Sequence, residues 1–150
     1  MNEDARKRAL SLLDKRDYSR KMLIDKLTGK GISPEDAAEV ADWLTTIGVI
    51  DDARYAALVV RHYGMKGYGA LRIREELFRR GVDRELWEDS LRELEDTDDT
   101  VYPVLEKKLH GSHKPEDMER ARSFLLRRGF PRDVVRSAIE RYMAENEVME

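Results

Sequence analysis

A chain of 150 residues with 41% apolar and 39% charged side chains fits one compact domain or a short array of helical repeats with much surface per residue. It has no cysteine, which excludes disulfides, thiol catalysis and thiolate metal sites. Its net charge of −3 argues against a general nucleic-acid binder.

Arg, Leu, Glu and Ala, all good helix formers, are abundant, and apolar residues recur at helical spacing almost throughout. The first helix is predicted over about Asp4 to Lys15, with Ala5, Ala9, Leu12 and Leu13 on one side. Ser19 caps a second helix carrying Met22, Leu23 and Leu27, and Gly29 and Gly31 stop it. A third starts after Ser33 with Pro34 first, where a missing N–H costs nothing, carries Ala37, Val40, Ala41, Leu44 and Ile47 on its apolar side, and ends at Gly48. Asp51 or Asp52 caps a fourth, with Tyr55, Ala56, Val59, Val60 and Tyr63.

Gly64, Gly67 and Gly69 predict a turn. The helix after it carries Ile73, Leu77 and Phe78 and stops at Gly81. Asp83 caps another, with Leu86, Trp87, Ser90, Leu91 and Leu94 inward. An acidic linker, Glu95 to Asp99, precedes a helix near Val101 to Leu109, whose Pro103 is expected in the first turn. After the loop 110–115 comes a helix with Ala121, Phe124 and Leu125, ended by Gly129. Pro131 opens the last, with Val134, Val135, Ala138, Ile139 and Tyr142. About nine helices and no convincing strand result.

Three helix stops share one pattern: Leu, three residues, Gly, then an apolar residue. They are Leu27 to Gly31-Ile32, Leu77 to Gly81-Val82, and Leu125 to Gly129-Phe130. Gly takes the left-handed C′ position and the apolar residue packs back on the last turn. The glycines are 50 and 48 residues apart, so three tandem three-helix repeats are expected, over residues 1–48, 49–97 and 98–150.

Charge is polarised along the chain. Residues 54–80 hold seven basic side chains against two acidic, a net of +5, and residues 83–99 hold nine acidic against two basic, a net of −7. A solvated helix face accounts equally well for either run alone. The charged start, Asn2 to Arg8, has no signal-peptide core, and no apolar run nears the ~20 residues of a membrane span. A cytoplasmic protein is expected.

Asp51-Asp52 has the chemistry to hold Mg²⁺, but helix capping is the simpler account. The glycines of Lys66-Gly-Tyr-Gly69 precede a helix start, a place that can hold a phosphate, without the spacing of a nucleotide-hydrolysing loop. A tight turn with Tyr68 packed over it is the competing account. Lys30, Arg80 and Arg128 each precede a repeat glycine, where a cation favours the helix C-terminus. Lys66, Arg72 and Arg79 can share a helix side, with Arg74 elsewhere on that helix. Arg127, Arg79 and Lys66 are the better contact candidates, because capping explains them less. His110 and His113 read as loop residues, and Trp43 and Trp87 as packing residues.

Ile50-Asp51-Asp52-Ala53-Arg54-Tyr55-Ala56 resembles the first signature of the RecX family. Lys66 to Leu77, running on to Arg80-Gly81, is similar to its second, and Phe124 to Phe130 to its third-repeat pattern. The likeness runs from about Ala5 to Tyr142. It implies an all-α protein of three tandem three-helix repeats in a curved, elongated array. It also implies a non-enzymatic inhibitor that binds the RecA recombinase filament on single-stranded DNA and suppresses its ATPase, strand exchange and coprotease activity. No cofactor, metal or catalytic residue is implied. Filament or DNA contacts would fall to Lys66, Arg72, Arg74, Arg79 and Arg127, with Asp51, Asp52, Arg54, Gly31, Gly81 and Gly129 as structural motif residues. The net acidity predicts at most weak binding to bare DNA. No membrane association is expected, and a monomer is the default.

Two other classes compete. A helix-turn-helix-like DNA regulator would read bases with Arg, Asn and Gln, yet the chain has two Asn and no Gln. A hydrolase or nuclease would need a nucleophile–base pair or a carboxylate cluster, which the sequence does not supply.

Overall fold

A computed structural model describes residues 1–94 and 96–148, with side chains through residue 145. The described residues form nine α-helices and no strand. They are α1 (Glu3–Lys15), α2 (Arg20–Gly29), α3 (Pro34–Thr46), α4 (Asp52–Met65), α5 (Ala70–Arg79), α6 (Arg84–Arg92), α7 (Asp98–Leu109), α8 (Pro115–Arg127) and α9 (Arg132–Val148).

Helix starts follow capping chemistry. Asn2 Oδ1 accepts from the Ala5 amide at 2.9 Å, and Ser33 Oγ accepts from the Asp36 amide at 3.1 Å ahead of Pro34. The three repeated stops are all Schellman turns. Gly31, Gly81 and Gly129 have φ of 94°, 72° and 94°. The following amides of Ile32, Val82 and Phe130 donate to the carbonyls of Leu27, Leu77 and Leu125 at 3.1, 3.2 and 3.2 Å.

Contacts gather the chain into two compact units. One comprises Met1–Val59 with Glu76–Ser90, the other Val60–Glu75 with Leu91–Glu150. Helices α4 and α5 therefore each contribute to both. In the first unit α1, α2 and α3 pack around Ala5, Ala9, Leu23, Leu27, Val40 and Leu44. Trp87 on α6 is buried there and donates its indole N–H to the Val82 carbonyl at 3.0 Å. In the second unit α7, α8 and α9 close on Val101, Leu105, Leu125, Val135 and Ile139.

Four expectations need correction. Helix α7 begins at Asp98, so Pro103 lies inside it and not in its first turn. The cause is Thr97, whose amide donates to Thr100 Oγ1 at 2.9 Å and starts the helix early. Pro131 precedes α9, its carbonyl accepting from the Val135 amide at 3.0 Å. Ile47, Phe78 and Leu86, expected on apolar faces, are exposed. On α5 the inward stripe is Ile73, Glu76 and Leu77, which turns Phe78 outward. Asp98 and Asp99 belong to α7, so they are not linker. Glu95 lies outside the described residues.

Candidate binding surface

The acidic pair serves two different helices. Asp51 caps α4, its Oδ1 accepting from the Arg54 amide at 3.1 Å. Asp52 Oδ1 instead accepts from the Arg20 amide at 2.9 Å, the first N–H of α2. Burial raises the Asp52 carboxyl, the Arg20 amide pulls it back, and nearby Asp83 raises it again. Arg54 reaches the Val49 carbonyl at 3.3 Å.

In the first unit the start of α2 docks on the end of α5. Ser19, fully buried, donates its hydroxyl to the Arg80 carbonyl at 2.6 Å and accepts from the Met22 amide at 3.2 Å. The Lys21 side chain lies on Gly81, where a Cβ would come within 2.1 Å of Lys21 Cδ. Beneath the contact Glu76, 2% exposed, holds two guanidiniums. Arg79 Nη2 donates to its Oε1 at 2.7 Å and Arg80 Nε at 2.8 Å. Arg80 Nη1 also donates to the Tyr55 hydroxyl at 2.7 Å.

The second unit repeats the joint with the start of α5 on the end of α8. The Gly69 amide donates to the Arg128 carbonyl at 2.7 Å and the Leu71 amide to the Gly129 carbonyl at 3.1 Å. Between them the Ala70 amide donates to Asp96 Oδ2 at 2.7 Å. The backbones are so close that a Cβ on Gly69 would sit 2.4 Å from the Gly129 oxygen. Arg128 lies 4.2 Å over the Tyr68 ring and 4.8 Å over the Phe124 ring, and donates to the Lys66 carbonyl at 3.1 Å. These bonds occupy the Gly69, Ala70 and Leu71 N–H groups at the start of α5, and the Arg72 nitrogen is packed against Gly129. The Lys66–Gly69 turn therefore offers no free helix start to a phosphate.

The five candidate cations differ in standing. Arg79 is exposed yet tied to Glu76. Arg72 pairs with Glu75 at 3.5 Å, and its backbone packs on Gly129. Lys66, Arg74 and Arg127 are exposed and make no ion pair among the described residues. Sequence reasoning gave no role to Glu76 or Asp96, and assigned Arg80 and Arg128 only to helix-end charge. Both arginines are struts of the joints, though the recurring Arg-Gly ahead of an apolar residue marked the place.

Two patterns of known proteins match this arrangement: the first three-helix domain of RecX over residues 5–44, and its second three-helix domain over residues 51–91. Proteins named regulatory protein RecX resemble the chain over most of its length. That of Xanthomonas citri is 39% identical over 135 residues, covering 87% of this chain and 83% of the relative. The chain is a member of the RecX family. The regulatory protein RecX of Pseudomonas putida (strain GB-1) is 37% identical over 133 residues, covering 87% and 85%.

The crystal structure of RecX from Lactobacillus salivarius superposes with a TM-score of 0.78 at 25% identity, over 92% of this chain and 94% of that one. A second RecX crystal structure, at 20% identity and a TM-score of 0.75, shares the fold over 91% and 70%. The three stretches that carried the RecX resemblance each contribute to the two joints, beside Ser19, Arg20, Lys21 and Asp96 outside them: Ile50–Ala56 supplies Asp52 and Tyr55, Lys66–Gly81 supplies both ends of α5, and Phe124–Phe130 supplies Arg128 and Gly129. Among the described residues no helix is long and apolar enough to cross a membrane.

Proposed function

We propose that this RecX-family chain is a non-enzymatic cytoplasmic regulator that binds the RecA filament on single-stranded DNA and inhibits its ATPase, strand exchange and coprotease activity. The carrying observation is the 39% identity to a regulatory protein RecX across 87% of the chain. The exposed cations Lys66, Arg74 and Arg127, without ion-pair partners among the described residues, supply charge for a polyanionic partner. Arg72 and Arg79 would join them by exchanging their local carboxylates. The repeat units of this reading are residues 1–48, 49–97 and 98–150, and several weak contacts spread over them would restrain adjacent recombinase protomers and slow ATP turnover.

Fluorescence anisotropy tests the reading. Labelled protein is titrated with bare single-stranded DNA and with a RecA filament assembled on it with a slowly hydrolysed ATP analogue, across a salt series. Tighter and less salt-sensitive binding to the filament supports it. Equal binding to both leaves a DNA-binding protein, and binding to neither removes the assignment.

A further inference from the structure

On the second unit, the turn after α4 together with α7 and α8 encloses an open cleft of about 620 Å³. Its floor is apolar: Met65, which is 83% exposed, with Val104 and the Phe124 ring. Its rim is cationic, with Lys66, Lys107, Lys108 and Arg128, and among the described residues no carboxylate lines it. Elsewhere arginines pair with acids one helical turn away, as Arg120 does with Asp117 and Arg122 with Glu119. Lys66, Lys107 and Lys108 make no such pair among the described residues.

We propose that this cleft is the docking site for an acidic peptide segment of a protein partner, seated by one apolar anchor side chain. An exposed apolar floor inside a rim of cations that make no ion pair among the described residues is complementary to a chain that alternates carboxylates with an apolar residue. Methionine suits such a floor because its flexible thioether adapts to different anchors. Arg128 is already fixed by the Lys66 carbonyl and two rings, so part of the rim needs no ordering on binding.

A single-stranded nucleic acid fits less well. Bases bind by stacking on open aromatic faces. Two rings line the cleft, His110 and Phe124, and the larger, Phe124, already carries Lys108 Nζ at 4.6 Å and Arg128 at 4.8 Å. The inference goes beyond the filament reading and stands on the cleft alone, so each can fail without the other.

The test is anisotropy of a labelled peptide of Asp and Glu bearing a central Leu-Phe pair, titrated with the full chain. The controls are the same peptide with the pair replaced by Ala, and a labelled oligodeoxythymidine. The Leu-Phe peptide is expected to bind at least about tenfold more tightly than its Ala version, the effect of burying one large side chain. Met65→Asp should remove that advantage, and Lys107→Glu with Lys108→Glu should weaken both peptides, with circular-dichroism melts unchanged because these side chains are exposed. Equal binding of the two peptides would reduce the cleft to a charged surface and overturn the proposal. So would an absence of peptide binding, or tighter oligodeoxythymidine binding that is sensitive to Met65→Asp.

Discussion

Ser19 and Arg80 lie 61 positions apart, yet the serine hydroxyl donates to the arginine carbonyl at 2.6 Å. Through this bond the first N–H turn of one helix meets the last carbonyl turn of another, so opposite ends of two helix dipoles touch. The Gly69 amide makes the same contact with the Arg128 carbonyl at 2.7 Å. One local device, a helix start set on a Schellman stop, is thus used once in each compact unit.

Ser19→Ala is expected to cost about 2 kcal/mol, the upper part of the range for losing an N-cap, because the hydroxyl is buried and bonded on both sides. Urea unfolding followed by circular dichroism reads this directly. A cost under about 0.5 kcal/mol, that of an ordinary surface change, would show the joint to be incidental.

Gly31 and Gly129 form a matched pair, since both have φ of 94°. An added Cβ meets nothing within 4 Å at Gly31, but lies 2.3 Å from the Arg72 backbone nitrogen at Gly129. Gly31→Ala should therefore cost only the left-handed penalty of about 1–2 kcal/mol. Gly129→Ala should add about 1–3 kcal/mol for displacing packed backbone. Equal midpoints in urea would contradict the docking of α5 on α8.

Glu76 and Asp52 should respond to pH with opposite sign. Burial pushes the Glu76 carboxyl up, but hydrogen bonds from Arg79 and Arg80, helped by their charges, outweigh it and hold it below the usual glutamate range. Its contribution is complete above the unfolded value of about 4.3 and is lost as pH falls through the lower folded value. Asp52 is raised, chiefly by burial, so its contribution is complete below the unfolded value of about 3.9 and lost as pH rises through the higher folded one.

At neutral pH, Glu76→Ala is therefore expected to cost about 3 kcal/mol, the low end for unpairing a buried charge because Arg79 reaches solvent. Asp52→Asn, which keeps an oxygen for the Arg20 amide, should hold stability or increase it. Unfolding curves from neutral to acid pH separate the two: Glu76→Gln should flatten the acid-side loss, while Asp52→Asn should not.

The fold was legible where the information is local. The Leu-to-Gly stop names three helix ends in the sequence, and the structure extends it to two more: the Val49 amide donates to the Leu44 carbonyl at 2.9 Å around Gly48, and the Tyr68 amide to the Tyr63 carbonyl at 3.0 Å around Gly67. Apolar periodicity found Leu23, Leu77 and Leu125. It failed on α5, where a buried carboxylate holds a core position and Phe78 faces out at 77% exposure. No hydrophobic pattern marks Glu76, because its burial depends on two arginines closing over it. The long-range caps were illegible for another reason. Asp52 and Asp96 serve helix starts 32 and 26 positions away, and spacing within one helix carries no trace of that.

The proposed filament contact makes its own prediction, in which stability and binding separate. Lys66, Arg74 and Arg127 are exposed and unpaired among the described residues, whereas Arg80 and Arg128 brace the joints. Charge reversal at the first three, Lys66→Glu, Arg74→Glu and Arg127→Glu, should leave the urea midpoint within about 0.5 kcal/mol of the parent. If these cations meet phosphates, each reversal should also lower the salt slope of filament binding by about 1. Arg128→Ala should instead lose stability, because its guanidinium covers two rings and holds the Lys66 carbonyl. Anisotropy against the assembled filament, paired with melts of the same samples, checks both arms. Intact filament binding in the triple reversal would move the contact surface away from these residues while leaving the helix-end joints untouched.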